Sequence, residues 1–455
     1  MRRYQPAGRQ GWSFNDGIIL VGHFRDQPGD CYRAASCLGI KIVTDRASVW
    51  KFRLQRGSAH AGLALLFVLA VTLMGPGVVW GDTIQYIRIA DELQGIPSDQ
   101  AWLHAFTEFC KNPSMPYNGT LENCITKTVA GRGPVVGWVD RNPQYQAIFT
   151  PRVGFPLLSI PLMRLLGERE GMWVVAVAGT AIAGLLVARL ARLAGLSLVP
   201  SLLVQLAFYM LPASIPHGIA LLAEGPTLAS ALVMAIGLAH VLRGSRVRGT
   251  VLLVLGLALV FFFKYSSAVL LCVSFLLVCV GLLVFKTYRR YSQIRLAIVV
   301  ATLLTVASLA INALFGFPGL NESLQDTFTD HFRHPPVDDP FNRLMVLEAD
   351  FLWRFLADLP ANAAYLLVFV AGVWGYVRAM REKLLPPAGW AGVALSLYGI
   401  LSVVGHPVYT QADRLGSSLW VGVAIGVGLG ARSVAARIRL RKRSPRHLAA
   451  SGTAA

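Results

Sequence analysis

Long apolar runs separated by short polar joints set the layout of this chain. Most runs are about 16 to 20 residues long, the length that carries a helix across ~30 Å of hydrocarbon. Full spans are expected at 61–80, 172–188, 198–211, 226–242, 250–263, 266–285, 296–315, 361–377, 388–404 and 415–430, which makes ten. An eleventh apolar stretch, 153–167, is short, carries Arg164 and is interrupted by Pro156 and Pro161. If it crossed, the two basic chain ends would lie on opposite sides. Basic residues stay on the cytoplasmic side, so this stretch is expected to be a re-entrant or juxtamembrane element on the outer side.

Composition agrees with that pattern. Of 455 residues, 55% are apolar and 15% charged, with mean hydropathy +0.54, which excludes an ordinary soluble domain. The expected fold class is all-α, a polytopic transmembrane helical protein. With the spans placed as above, the inner segments hold 29 Lys and Arg against 5 acids, and the outer side holds 13 against 19. The bias satisfies the positive-inside rule and puts both termini in the cytoplasm of a multi-pass plasma (inner) membrane protein. The net charge of +18 then reflects topology and attraction to the bilayer's anionic lipid heads, with no nucleic-acid partner expected.

Residues 1–58 lack a signal-type apolar run and read as a basic cytoplasmic arm, disordered or translated from a misassigned start. Residues 59–432 form the membrane domain, with outer loops at 81–150 and 317–359, and 433–455 form a basic cytoplasmic tail. Cys110 and Cys124 share the first outer loop, where a disulfide would brace it, while Cys272 and Cys279 lie within one span. The sequon at Asn118 matters only in a host that glycosylates proteins. No soluble-type cofactor motif is visible.

The chemistry is expected on the outer face. Asp82 stands at the mouth of the first span, an expensive place for an acid without a partner or a task. Asp82 and Tyr86, four apart, share a helix face, while Ile84, Ile87 and Leu93 suit a surface-lying helix; Asp82 also suits a helix N-cap. Arg152 precedes the proline-broken segment and reads as an interfacial anchor or a binding group. Pro212 and Pro216 break the next joint, exposing His217 at the membrane face and leaving Glu224 just above a span. Lys264 interrupts an apolar stretch and must snorkel, pair with an acid or meet an anionic ligand. His331 and Arg333 in the second outer loop, with Arg414 at the start of the last span, suit a phosphate, although the first two also suit a solvated loop.

The order of these parts resembles the GT-C superfamily of membrane glycosyltransferases, which use polyprenyl-phosphate sugars. Gly81-Asp82-Thr-Ile-Gln-Tyr86-Ile-Arg-Ile-Ala90 is similar to its Asp-x-x-x-Tyr-x-x-x-Ala pattern. Thr150-Pro-Arg152 through Gly167 resembles the proline-containing segment that closes the first outer loop. Ala223-Glu224-Gly-Pro, Phe263-Lys264-Tyr-Ser-Ser and Asp413-Arg414-Leu resemble weaker signatures, across roughly 60–430. One departure is Leu415, where an aromatic is usual.

The resemblance implies inverting transfer of a hexose or pentose from a polyprenyl-phosphate sugar to an envelope glycan, lipid or protein acceptor. Asp82 would be general base or orienter, and Lys264, Arg152 and Arg414 would stabilise the phosphate leaving group, with His331 and Arg333 as lesser candidates. Tyr86 and Glu224 complete the expected substrate site, and a divalent metal held by Asp82 and Glu224 is compatible with the superfamily. The competing classes are a transporter or flippase of lipid-linked sugars and a non-catalytic envelope-assembly protein. A transporter would typically show paired repeats with broken helices at mid-membrane, and no pairing of halves is visible here.

Overall fold

The computed structural model describes residues 46–75, 77–111, 120–129, 142–211 and 214–443, with side chains from 57 to 438 within those stretches. The arm through residue 45, the sequon at Asn118 and the tail beyond Arg443 lie outside the described residues. The chain divides into two compact units, Met1–Leu54 and Gln55–Ala455, and the elements that follow belong to the second.

Every regular element described is helical. The first helix, α1, is apolar over Gly57–Leu73. After it come α2 (Gly81–Leu93), α3 (Ser98–Cys110), α4 (Leu121–Val129), α5 (Pro143–Phe149), α6 (Gly154–Leu166), α7 (Glu168–Leu193), α8 (Leu198–Met210) and α9 (Ser214–Ile219). The second half holds α10 (Glu224–Leu242), α11 (Arg246–Lys264), α12 (Ser266–Gly281), α13 (Lys286–Arg289), α14 (Ser292–Leu314), α15 (Leu320–Phe328) and α16 (Pro340–Ala357). Last come α17 (Ala363–Arg381), α18 (Trp390–Val404), α19 (Ala412–Leu415) and α20 (Ser417–Arg443).

Eight of the described helices are long and apolar enough to cross a membrane: α7, α10, α11, α12, α14, α17, α18 and α20. Their outward faces are apolar too, as at Val299 and Leu303 on α14 and Leu367 and Trp374 on α17. Such faces belong in hydrocarbon. The fold is that of a polytopic helical membrane protein.

The other expected spans are shorter. The expected first span overshoots its helix, because α1 ends at Leu73 and the apolar residues after it leave the helix. There Gly75 and Gly77 take positive φ, and Val78 forms a parallel bridge with Ala220. The stretch expected at 198–211 is a helix of 13 residues, α8. Segment 153–167 contains a helix of the same length, α6, with Pro161 inside it.

Small residues set the closest helix contacts. Gly372 and Gly375 of α17 lie against Gly426 and Gly430 of α20, where a Cβ at Gly372, Gly375 or Gly426 would strike backbone and one at Gly430 would meet the Trp374 ring. Pro226, in the first turn of α10, packs on Gly179 of α7, and Gly225 packs on Thr180. That contact seats the start of α10, where Glu224 stands. Two apolar clusters result, one inside the bundle and one joining α2, α3, α5 and α6 to residues 220–223.

Within the second cluster the expectation for α2 fails. Ile84 and Ile87 are fully buried, and of the three apolar residues assigned to the membrane surface only Leu93 is exposed. The helix is roofed by α3, α5 and α6, so its apolar face meets Trp102, Phe106, Phe149 and Phe155.

Candidate functional site

Four helix ends meet at one end of the bundle. Asp82 is the second residue of α2, Glu224 the first of α10, Lys264 the last of α11, and Arg414 lies in the short α19. Arg414 Nη2 is 3.2 Å from Asp82 Oδ2, and its Nε is 3.3 Å from Glu224 Oε1. Lys264 Nζ donates to the same Glu224 oxygen at 3.2 Å. The result is an alternating line of charges, Asp82, Arg414, Glu224, Lys264. The Arg414 guanidinium also lies 5.8 Å from the centroid of the Trp80 ring.

The N-cap reading of Asp82 fails. Trp80 is the cap residue: its carbonyl accepts from Thr83 N at 3.0 Å, and its amide donates to Thr83 Oγ1 at 3.0 Å. Thr83 Oγ1 donates in turn to Leu221 O at 3.1 Å, tying α2 to the stretch before α10. The Asp82 carboxylate is left to meet Arg414.

Tyr86 and Arg152 extend the line. Tyr86 is buried between Phe149 and Phe155, and its hydroxyl accepts from Arg152. Burial, opposed by Arg152, raises the Tyr86 hydroxyl well above the ordinary phenol range, so it stays protonated. Arg152, 7% exposed, stacks at 4.5 Å from the Phe149 ring, and its own amide donates to Phe149 O at 2.8 Å. Burial works against the charges of Arg152 and Arg414. Tyr86 and Asp82 outweigh it at Arg152, and Asp82 and Glu224 outweigh it at Arg414, so both cations persist.

The cluster thus sets three cations against two carboxylates. Arg152 Nε finds no acceptor among the described residues. Arg414 Nε is close to Glu224 without the angle of a hydrogen bond, so it too lacks an acceptor, and Glu224 Oε2 lacks a donor. A surplus positive charge with unmatched buried donors is the electrostatic outline of an anion site. A divalent ion between Asp82 and Glu224 does not fit this arrangement, because Arg414 spans the two carboxylates.

His331 reaches the rim. Its ring meets Tyr145 edge-on at 5.1 Å, its Nδ1 lies 2.9 Å from Asp326, and Asp82 is within electrostatic reach. Asp330, His331 and Phe332 all take positive φ, a strained run for residues other than glycine. Phe332 N donating to Thr329 Oγ1 and His331 N donating to Asp326 O, both at 2.8 Å, hold the run in place. Arg333 lies on the other side of this turn. The same turn leaves it exposed and paired with Asp330 at 2.8 Å. His406 joins the second loop through Thr327 Oγ1 at 3.1 Å.

One reading from sequence missed the site's depth. His217 is buried rather than open at the membrane face, and Glu224 beside it is 6% exposed. Backbone hydrogen bonds strap the segment down, with Gly77 N and Val78 N both donating to Ile219 O and Leu221 N donating to Val78 O. The apolar run 219–223 was the available signal.

A second charged group lies outside this cluster. His104 Nδ1 meets the buried Asp91 carboxylate at 2.7 Å, and its Nε2 lies 3.9 Å from Glu108 and 3.8 Å from Glu168. The hydrogen bond to Asp91 raises the His104 pKa, and Lys111 pairs with Glu108 at 2.7 Å. These contacts tie α3 to α2 and α7, with Asp91, Glu108 and Glu168 set against His104 and Lys111. Cys110 and Cys124 are bonded as a disulfide, with Cα atoms 5.9 Å apart, joining α3 to α4.

Fold and cluster together define a helical membrane protein with a buried, cation-rich site at one end of its bundle. No protein-family model, no curated protein and no solved structure matches the chain.

Proposed function

We propose that the chain is a GT-C-like membrane glycosyltransferase that moves a sugar from a polyprenyl-phosphate donor to an envelope glycan, lipid or protein acceptor on the outer face. The observation that carries this reading is the largely desolvated line Asp82, Arg414, Glu224, Lys264, of which Glu224 is buried, with Arg152 as surplus cation beside it. A lipid phosphate brings the missing negative charge and reaches such a site from the bilayer.

In the reaction, the phosphate oxygens sit against Arg152 and Arg414, the guanidinium groups whose Nε–H lacks an acceptor among the described residues. Binding the phosphate draws Arg414 from Asp82 and frees the carboxylate. Asp82 then takes the proton of the acceptor hydroxyl as that oxygen attacks the anomeric carbon. The bond from that carbon to the phosphate oxygen breaks on the opposite face, so configuration inverts. The charge of the departing lipid phosphate falls on the cations. Tyr86, which stays protonated, holds Arg152 in place.

The purified full-length protein in lipid nanodiscs, given polyprenyl-phosphate hexoses and pentoses with envelope acceptors, tests this. Asp82→Asn should lower transfer by roughly 10²–10⁴-fold with expression intact. Wild-type transfer in that variant would sink the role of Asp82. Movement of the lipid-linked sugar across the bilayer without transfer would favour a flippase.

A further inference from the structure

His217 is 2% exposed, and both its ring nitrogens lack a hydrogen-bond partner among the described residues. Buried imidazoles in native proteins are normally satisfied, so a pair of open nitrogens needs a reason. Looseness is not the reason. Next to His217, Gly218 O accepts from Trp173 Nε1 at 2.9 Å, and Ile219 O and Leu221 N are bonded to the backbone of Gly77 and Val78. A Cβ at Gly218 would already meet Phe67 at 3.0 Å.

The surroundings of His217 select its ligand. Glu224, Arg414 and Lys264 are all within electrostatic reach. Burial first, and the two cations after it, lower the His217 pKa to about 4 against the pull of Glu224, so the ring is neutral at physiological pH. A neutral imidazole offers one N–H donor and one bare acceptor nitrogen. The nearby Glu224 Oε2 is a second open acceptor. A group that satisfies all three must carry at least two donors and one acceptor while being uncharged itself. Neighbouring hydroxyls on a sugar ring have that pattern. A quaternary ammonium headgroup has no donors, and a second phosphate would face Glu224.

We infer that His217, together with Glu224 Oε2, reads hydroxyl groups of the sugar, while Arg152 and Arg414 hold the phosphate. This rests on the lipid-phosphate-sugar reading above and adds a residue that discriminates among sugars. His217 takes no part in bond making or breaking, and its effect is on which sugar binds and how well.

Binding to the full-length protein in nanodiscs tests it with three probes: a polyprenyl monophosphate, the same lipid bearing one hexose, and single-deoxy versions of that hexose. The wild type should prefer the hexosylated lipid over the bare phosphate by roughly 10–100-fold, the worth of one or two matched buried hydrogen bonds. His217→Phe, which keeps an aromatic ring without nitrogens, should erase that preference and leave the bare phosphate bound as before. His217→Asn, which restores a donor and an acceptor, should regain part of it. One deoxy position should weaken binding to wild type and have no effect in His217→Phe.

A His217→Phe protein that keeps the preference, or loses both probes equally, overturns the assignment. Should His217→Phe fail to fold, the same deoxy scan on His217→Asn decides, because an altered hydroxyl preference supports the assignment and an unchanged one overturns it. Wild type that binds both lipids equally also overturns it and leaves the phosphate site standing. Wild type that binds neither removes the phosphate reading and this inference with it.

Discussion

Replacing Arg414 with Met tests the charge line most directly. Among the described residues Arg414 is the one cation that contacts both Asp82 and Glu224, and its side chain is 15% exposed, against 17% and 7% for the two acids. Removing one partner of a buried ion pair typically costs about 3–5 kcal/mol, because the other charge stays desolvated. The two acids do not suffer alike. Glu224 keeps Lys264 at 3.2 Å, whereas Asp82 loses its contacting cation and is left with partial hydration. The loss should therefore fall near the lower end, about 3 kcal/mol. Neutralising the stranded acid should return part of it, so Asp82→Asn combined with Arg414→Met should show a coupling of about 1–2 kcal/mol. Thermal unfolding of the four proteins of the cycle in one detergent reads both numbers, the single variant melting several degrees lower. Arg414→Met within about 0.5 kcal/mol of wild type, or a strictly additive cycle, would refute the line of charges as drawn.

The second loop should respond to pH through His331. Burial lowers its proton affinity, and the Asp326 hydrogen bond together with the charges of Asp326, Asp330 and Asp82 more than restores it, leaving the pKa raised above 6.5. A raised folded pKa gives stability that is fully present below the unfolded value and lost as pH rises through the folded one. Limited proteolysis of the loop around 326–334 should thus quicken on raising the pH through that range, and His331→Gln should abolish the change. Loss of the Cys110–Cys124 bond by double serine substitution should cost about 3 kcal/mol from the closed loop of 14 residues. The drop should appear as a lower melting temperature, and unchanged melting would show that the bridge braces nothing.

Sequence made the long spans legible because hydrocarbon leaves little choice: a run such as 266–285 has one stable form in a bilayer. The end of the first span was not legible, since apolar residues serve equally in a helix and in the bridge from Val78 to Ala220. Asp82, Glu224, Lys264 and Arg414 each stood out as costly charges at span ends. Their partners did not, because pairing depends on how helices far apart in the chain come together. His217 was misread for a related reason. Prolines at 212 and 216 signal a break in the helix, and a break looks exposed until the backbone that covers it is known. Arg333 looked equivalent to His331 from its position alone, and the left-handed turn at 330–332 separates them.

The charge line also constrains the order in which the protein is made. Asp82 emerges early in synthesis, Glu224 midway and Lys264 soon after, but the arginine that bridges the two acids arrives only with the last span. Until then Glu224 has Lys264 for company, and Asp82 has no contacting countercharge among the described residues. The site therefore matures only after Arg414 has been made. A chain cut short before residue 414 would retain seven of the eight long spans and still lack the closure that makes the cluster.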